Sequence, residues 1–387
     1  MEQSTKKLTL ALIRSAMGGA PLSEEEKGIA TAENIRSALK LAASHDLSHL
    51  AAWSAKKNGM AEYIGADGEK HIFKAVYRYQ QIKYEYERLC ASLEKAEIPF
   101  IPLKGSVIRK HYPEPWMRTS CDIDILIHKS DLDRAAQLLT GELKYKRAEE
   151  CSHDVAFFSP ANVNVEMHFD LIEEGLVNAS AKVLKSVWSV STPKEGYKYY
   201  CEMPDSLFYF YHIAHMAKHL LNGGCGIKPL IDIWILDRVS GADLEGREEL
   251  LSRGGLLKFA NTAKRLSLVW FGSGEHDQLT EEMEKYVLEG GVYGNLANHV
   301  AVLRHKKGGR LRYAWSLIFL PYDSIKYMYP ILQKHRWLTP VMQAHRWLTL
   351  ILKGRIKQAT ETLTKTGNVS DDQVESVHAF LDGVGLV

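Results

Sequence analysis

One alternating run, Asp122-Ile123-Asp124-Ile125-Leu126-Ile127-His128, limits what this chain can fold into more than any other stretch. Side chains on a β-strand point to opposite faces in turn. Ile123, Ile125 and Ile127 therefore share one face, and Asp122, Asp124, Leu126 and His128 share the other. Aspartate is disfavoured in strands. Two carboxylates on one face stand roughly 6–7 Å apart and repel each other. A divalent cation between them would relieve that repulsion, and hard oxygen ligands suit Mg2+. Just upstream, Leu103-Lys104-Gly105-Ser106 puts a glycine where backbone can approach a phosphate closely.

The surrounding residues read as an α/β unit. Residues 98–103 form a short apolar strand ending in the Lys104-Gly105 turn. Residues 106–112 allow one or two helical turns, stopped by Pro113 and Pro115. Ser130 is placed to cap a helix that ends near Gly141. Residues 144–149 and 155–159 read as a hairpin. Residues 162–171 alternate without a break, with Val163, Val165, Met167 and Phe169 on one side and Asn164, Glu166, His168 and Asp170 on the other. That polar face is what a neighbour of Asp122 and Asp124 would need.

Together these residues resemble the nucleotidyltransferase (DNA polymerase β-like) superfamily, with its Gly-Ser turn, its Asp-x-Asp strand and a third carboxylate on a later strand. The spelling is closest to a bacterial family of uncharacterised nucleotidyltransferases. It matches at Pro102 to Gly105, at Tyr112 and Pro115, at Arg118 with Asp122 and Asp124, and at Glu166 with His168. Lys104 departs from the wider superfamily, where the residue before the turn glycine is usually hydrophobic.

The resemblance implies an α+β fold: a small mixed β-sheet nucleotidyltransferase core with helices, flanked by N-terminal and C-terminal helical regions. It implies transfer of an NMP from an NTP to a hydroxyl or similar group of a small-molecule, glycan or peptide acceptor, with release of pyrophosphate. Asp122, Asp124 and Glu166 would be catalytic and would hold two ions of Mg2+ or Mn2+. Lys104, Gly105, Ser106 and Arg118 would meet the nucleotide phosphates. Lys218, His219 and Asp232 would reach the nucleotide from across the cleft, and His168 would orient Glu166 or a neighbour. Two alternatives stay open: a nucleotide-binding scaffold without turnover, and a protein-modifying, AMP-transferring enzyme.

The rest of the chain is expected to be largely helical, divided into an N-terminal helical region (1–95), the α/β core (96–203) and a C-terminal helical domain (204–387). Ser23 with Glu26 has the capping-box spacing. Residues 32–59 read as a run of helix formers that stops at Asn58-Gly59, and a helical period returns over 70–96. Residues 173–203 carry no readable pattern. Asp205-Ser206 is placed to cap a helix carrying His212, His215 and His219 on one side, and a second helix follows over 227–240. The pattern then stays helical to the end, with HRWLT at both 335–339 and 345–349 and a capping pair Ser370 and Gln373.

A net charge of +2 gives no reason to expect nucleic acid. The five cysteines are scattered, without a C-x-x-C pair, and read as reduced thiols in a cytoplasm; Cys121 reads as a small buried residue. The apolar run after Lys6 and Lys7 is cut by Arg14 and is too short for a signal peptide. No apolar run is long enough to span a membrane. The basic, Trp-rich helices near 330–350 have a composition that could also lie on a membrane surface, but the reading taken here is of coincident helix faces with no membrane partner.

Overall fold

The computed structural model describes residues 3–173, 175–352 and 369–387. Its centre is one five-stranded mixed sheet of order β1-β2-β5-β4-β3. β1 (Phe100–Pro102) runs antiparallel to β2 (Asp122–Ile127), and β2 runs parallel to β5 (Asn164–His168). β4 (Asp154–Phe158) and β3 (Lys146–Glu150) complete the sheet antiparallel to their neighbours. In the parallel pair Asp122 faces Asn164, and Asp124 faces Glu166. The alternation puts Ile123, Ile125, Ile127, Val165 and Met167 on the opposite face. There they bury against Leu89 and Leu93 of a long helix and against Ala135 and Leu139.

Ahead of the sheet lie α1 (Gln3–Ala16), α2 (Glu24–Gly28), α3 (Ala32–Ser44), α4 (Ser48–Lys57) and α5 (Ala61–Lys95). Ser23 and Glu26 make the expected reciprocal capping bonds. The run of helix formers over 32–59 is two helices, not one, because Asp46 takes a positive φ of 57° between them. Aspartate tolerates that conformation better than most residues. Its carboxylate also accepts from Thr119 Oγ1 at 2.9 Å and Lys228 Nζ at 2.8 Å, contacts a continuous helix would not offer. α5 starts nearer the N-terminus than the pattern suggested and kinks at Gly65.

α6 (Gly105–Ile108) follows β1, and α7 (Leu132–Gln137) follows β2. Ser130 does not cap α7: it lies in a 3-10 turn over Lys129–Asp131, and the helix then widens through Leu138–Glu142 past Gly141. Residues 173–203 hold α8 (Ser180–Leu184), α9 (Val187–Val190) and a small antiparallel pair, β6 (Thr192–Pro193) with β7 (Cys201–Glu202). The loop of that pair is fastened to α5. Glu94 accepts the successive backbone N–H groups of Lys198, Tyr199 and Tyr200 at 2.7–3.2 Å. Tyr199 O in turn accepts from Phe100 N at 2.9 Å. A glutamine at 94 keeps one acceptor and loses the charge. Glu94→Gln is therefore expected to cost about 2 kcal/mol and to speed hydrogen exchange at the 198–200 amides selectively. Unchanged protection of those amides would refute the fastening.

The C-terminal half is α10 (Asp205–Leu221), α11 (Lys228–Leu236), α12 (Leu244–Gly254), α13 (Leu257–Phe271), α14 (Gln278–Gly290) and α15 (Leu296–Lys306). They are followed by α16 (Arg310–Ile318), α17 (Tyr322–Met328), α18 (Ile331–Lys334), α19 (Thr339–Leu352) and α20 (Asp371–Gly383). Asp205 is not a side-chain cap; its carboxylate instead takes Arg247 at 2.6 and 2.7 Å. Ser370 does accept from Gln373 N, as its spacing implied. The expected helical continuation over 353–368 lies outside the described residues. Helices from both ends of the chain share one apolar core, in which Leu12, Leu50, Phe210, Ile231 and Phe259 are fully buried, and Ile101, Leu103 and Leu126 join it from the sheet. No described helix is long and apolar enough to cross a membrane.

Candidate active site

The acidic face of the sheet meets α10. Asp124 is 3 % exposed, and its Oδ1 accepts from Lys104 Nζ at 2.8 Å and from His168 Nε2 at 3.0 Å. Glu166 Oε2 lies 3.7 Å from the same His168 nitrogen. Burial alone would raise the Asp124 pKa, but the Lys104 ammonium and His168 outweigh it and hold the carboxyl well below its ordinary range. Burial would lower His168, and the hydrogen bonds to Asp124 and Glu166 instead raise it to about 9. Asp122 has no such partners. Burial, then the Asp124 charge and the Glu166 charge, push it up to about 6.

The donor set fits a divalent cation. One ligand atom each from Asp124, Glu166 and His168 lie within 4.8 Å of one another. Asp122 stands outside that set, two residues away on the same strand face. The sequence pointed to His168 as an orienting group for Glu166 or a neighbour; here its Nε2 lies 3.0 Å from Asp124 Oδ1, and a ring nitrogen falls within the spacing of the cluster. The signal was present in the alternation, since 164, 166 and 168 share a face with 122 and 124.

Lys104 reaches Asp124 from an unusual backbone. Its φ of 45° with ψ of −122° is a conformation that glycine takes readily and lysine does not. It is held there by Leu103 N donating to Asp124 O at 3.0 Å and by the ion pair. Gly105 begins α6 directly afterwards, with two guanidinium groups near its Cα. A Cβ at this position would come within 3.5 Å of Arg109 Nη2 and 3.7 Å of Arg118 Nη1. Arg109 escaped the sequence reading. It donates to Gly105 O at 2.9 Å and to Ser120 Oγ at 2.7 Å, and its position four residues after the turn glycine was the available hint. Ser106 lines a cavity of about 310 Å³ together with Lys110, His111 and Lys194.

Arg118 and Asp232 are brought together, and each occupies the other. Arg118 donates from Nε and Nη2 to the two Asp232 oxygens at 2.8 Å each, and Tyr112 adds a third bond at 2.6 Å. Asp232 is fully buried, and Arg118 outweighs the burial to hold it ionised. The pair fastens the 113–121 loop, which leads into β2, onto α11. Cys121, in that loop, is exposed and not buried, because it precedes β2, whose pairing in the sheet begins at Asp122.

On α10, Lys218 pairs with Glu173, and His215 Nδ1 lies 3.7 Å from the same carboxylate. His219 Nε2 is 2.9 Å from His215 Nε2, and His212 instead contacts Pro229 O at 3.2 Å, so the three histidines do not converge. Glu173 is 8 % exposed. Burial raises its pKa, and His215 and Lys218 outweigh this and lower it. His215 itself is pushed down to about 3 by burial and then by Lys104, so at neutral pH the balancing charge on Glu173 is that of Lys218. A depressed carboxylate stabilises the fold fully above its unfolded value of 4.5, and the contribution fades as pH falls below that. Glu173→Gln is expected to cost about 2 kcal/mol at pH 7 and clearly less near pH 2, as pH falls toward the depressed folded value, measured by urea denaturation. An equal deficit at both pH values would remove Glu173 from this role.

The arrangement gathers three carboxylates on adjacent parallel strands, with Lys104, Arg109 and Arg118 at the turn above them. That combination holds cations and anions side by side, as phosphoryl chemistry requires. A family model described as an uncharacterised nucleotidyltransferase matches residues 31–272. No curated protein matches the chain, and no solved structure does.

Proposed function

Because the chain belongs to the uncharacterised nucleotidyltransferase family, we propose that it moves an NMP from an NTP to a hydroxyl or similar group of a small-molecule, glycan or peptide acceptor, releasing pyrophosphate in a Mg2+- or Mn2+-dependent reaction. The observation that carries this reading is the register of β2 on β5, which sets Asp124 opposite Glu166 with Asp122 on the same face. Divalent cations, when bound, would neutralise the charge on the transferred phosphoryl group and lower the pKa of the acceptor hydroxyl.

The protein's own groups do the rest. Asp122, Asp124 and Glu166 supply the oxygens, and His168 and Lys104 keep Asp124 ionised and fixed in direction. Gly105 leaves room for phosphate oxygens at the start of α6, with Ser106 beside it and Arg109 close by. Arg118 and Asp232 act on the nucleotide through the loop they fasten. Lys218 and His219 stand on the α10 wall of the cleft, where Glu173 positions Lys218. Cys90, Cys121, Cys201 and Cys225 are free thiols, which supports a reducing compartment such as the cytoplasm.

One observation favours a second reading, a nucleotide-binding module without turnover: Lys104 already occupies an oxygen of Asp124. Pyrophosphate release from each of the four NTPs, with Mg2+ or Mn2+, separates the two. Slow metal-dependent release with one NTP supports the enzyme. Metal-dependent binding with no release, across a panel of acceptors, supports the module. Absence of metal-dependent nucleotide binding would sink both.

A further inference from the structure

The helices over 310–352 differ from the rest of the molecule in charge and in surface. From 305 to 352 the chain carries eight lysines and arginines (Lys306, Lys307, Arg310, Arg312, Lys326, Lys334, Arg336, Arg346) against one acid, Asp323. The whole chain has 49 basic and 47 acidic residues, so the remainder holds 41 against 46. A segment of net +7 is thus attached to a body of net −5. Near-neutral overall composition conceals this division.

Apolar exposure is concentrated in the same place. Of nineteen exposed large apolar side chains among the described residues, nine fall in 310–352. They make stripes. On α16, Leu311, Trp315 and Phe319 recur at i, i+4 and i+8 and are 87 %, 65 % and 44 % exposed. On α19, Val341, Leu348 and Leu352 recur at i, i+7 and i+11. Trp337 is 74 % exposed between them, beside Lys334 and Arg336. Arg310 and Arg312 flank Leu311, where their stems can lie along the apolar stripe with their charges outward.

This is held structure. Trp347 Nε1 and Arg346 Nη2 both donate to Ile318 O, at 3.0 and 2.6 Å, and so lock α19 against the end of α16. Between the two helices Phe319, Leu320, Pro340 and Trp347 line a notch of about 410 Å³.

We propose that the α16–α19 segment is a docking surface for an anionic lipid bilayer, on which it lies without crossing. Basic residues flanking Leu and Trp stripes on short helices are the composition of interfacial segments. Anionic headgroups complement a local charge of +7 while repelling the acidic body, which orients the molecule. A second copy of the same surface is disfavoured by its own charge. Nucleic acid would use the arginines and tryptophans, but it offers nothing to the exposed Leu311, Ile331, Val341, Leu348 and Leu352. The inference does not depend on the nucleotidyl-transfer reading.

The test is flotation of the full chain with vesicles of phosphatidylcholine alone or with a quarter phosphatidylglycerol, following tryptophan emission in parallel. Binding is expected to the anionic vesicles only, with a blue shift in emission and at least tenfold weakening in high salt. Leu311→Glu/Trp315→Glu/Leu348→Glu should lose at least tenfold in binding. Arg312→Gln/Lys334→Gln/Arg336→Gln, which leaves every exposed apolar side chain in place, should lose the preference for anionic lipid. No binding of the wild-type chain to anionic vesicles would overturn the proposal. So would vesicle binding unchanged in both variants, or single-stranded RNA binding that competes with the vesicles and survives the Glu substitutions.

Discussion

Asp122→Asn is expected to cut pyrophosphate release at least about a thousandfold, the factor produced by losing ~4 kcal/mol of transition-state stabilisation. In the same protein it is expected to raise stability. Of the three acids Asp122 is the one without a side-chain salt-bridge or hydrogen-bond partner among the described residues, and burial with the nearby Asp124 and Glu166 charges lifts it from 3.8 to about 6. A carboxyl raised in the fold is harder to ionise there than in the unfolded chain. The penalty is absent below about pH 4, grows between there and pH 6, and is complete above. The asparagine variant should therefore unfold at higher denaturant than the wild type at pH 7.5, by about 3 kcal/mol, and at the same denaturant near pH 3.5. Such an opposition of activity and stability marks a charge kept for function at the expense of the fold. Activity within tenfold of wild type would refute the assignment of Asp122. A stability gain that is the same at both pH values would refute its electrostatic cause.

Asp232→Ala is expected to destabilise the protein by about 3–5 kcal/mol, because it leaves the buried Arg118 guanidinium and the Tyr112 hydroxyl without their shared acceptor. Against a usual total of about 5–15 kcal/mol, that loss would unfold a large share of molecules near 37 °C. Replacing both partners, as Arg118→Met/Asp232→Leu, should recover much of it, since no unpaired charge remains. A double-mutant cycle in urea measures the coupling. The double variant should stay folded yet bind nucleotide weakly, because the 113–121 loop loses its fastening to α11. Equal destabilisation by the single and double variants would show that packing and not charge pairing is at stake.

Period-two alternation made the sheet readable in advance. Asp122 to Ile127 and Asn164 to His168 each carry a buried face and a polar face, and that alone sets which residues can oppose one another. The hairpin before β5 was also legible in advance, over 144–149 and 155–159. What stayed hidden is pairing between distant residues. Glu173 meets Lys218 across 45 positions, and no local pattern announces it. Arg118 could be recognised as a cation at the end of the motif, yet its partner, 114 residues on, is Asp232 and not the neighbouring Asp122. The break at Asp46 is of the same kind: most residues from Ala32 to Ala43 favour helix, and the turn is held by Thr119 and Lys228. Local propensity yields to tertiary contacts at such points. The basic, apolar character of 310–352 was visible in composition, but only the exposure of its stripes separates a surface from a core.

The fastening of residues 198–200 to Glu94 has a consequence for solubility. β1 is an outer strand of the sheet, and an outer strand with unpaired backbone groups invites other chains to add on. Here Tyr200 bridges Phe100 in parallel, and Tyr199 takes its amide hydrogen, so the segment before α10 covers that border. The opposite border, β3, pairs with no further strand among the described residues, but its sequence Lys-Arg-Ala-Glu-Glu carries four charges in five residues. One rim is shielded by the chain itself, and the other repels strand addition through charge. A fragment ending before residue 198 would keep the whole sheet and lose the first of these protections, exposing Phe100 and its neighbours as a template for aggregation.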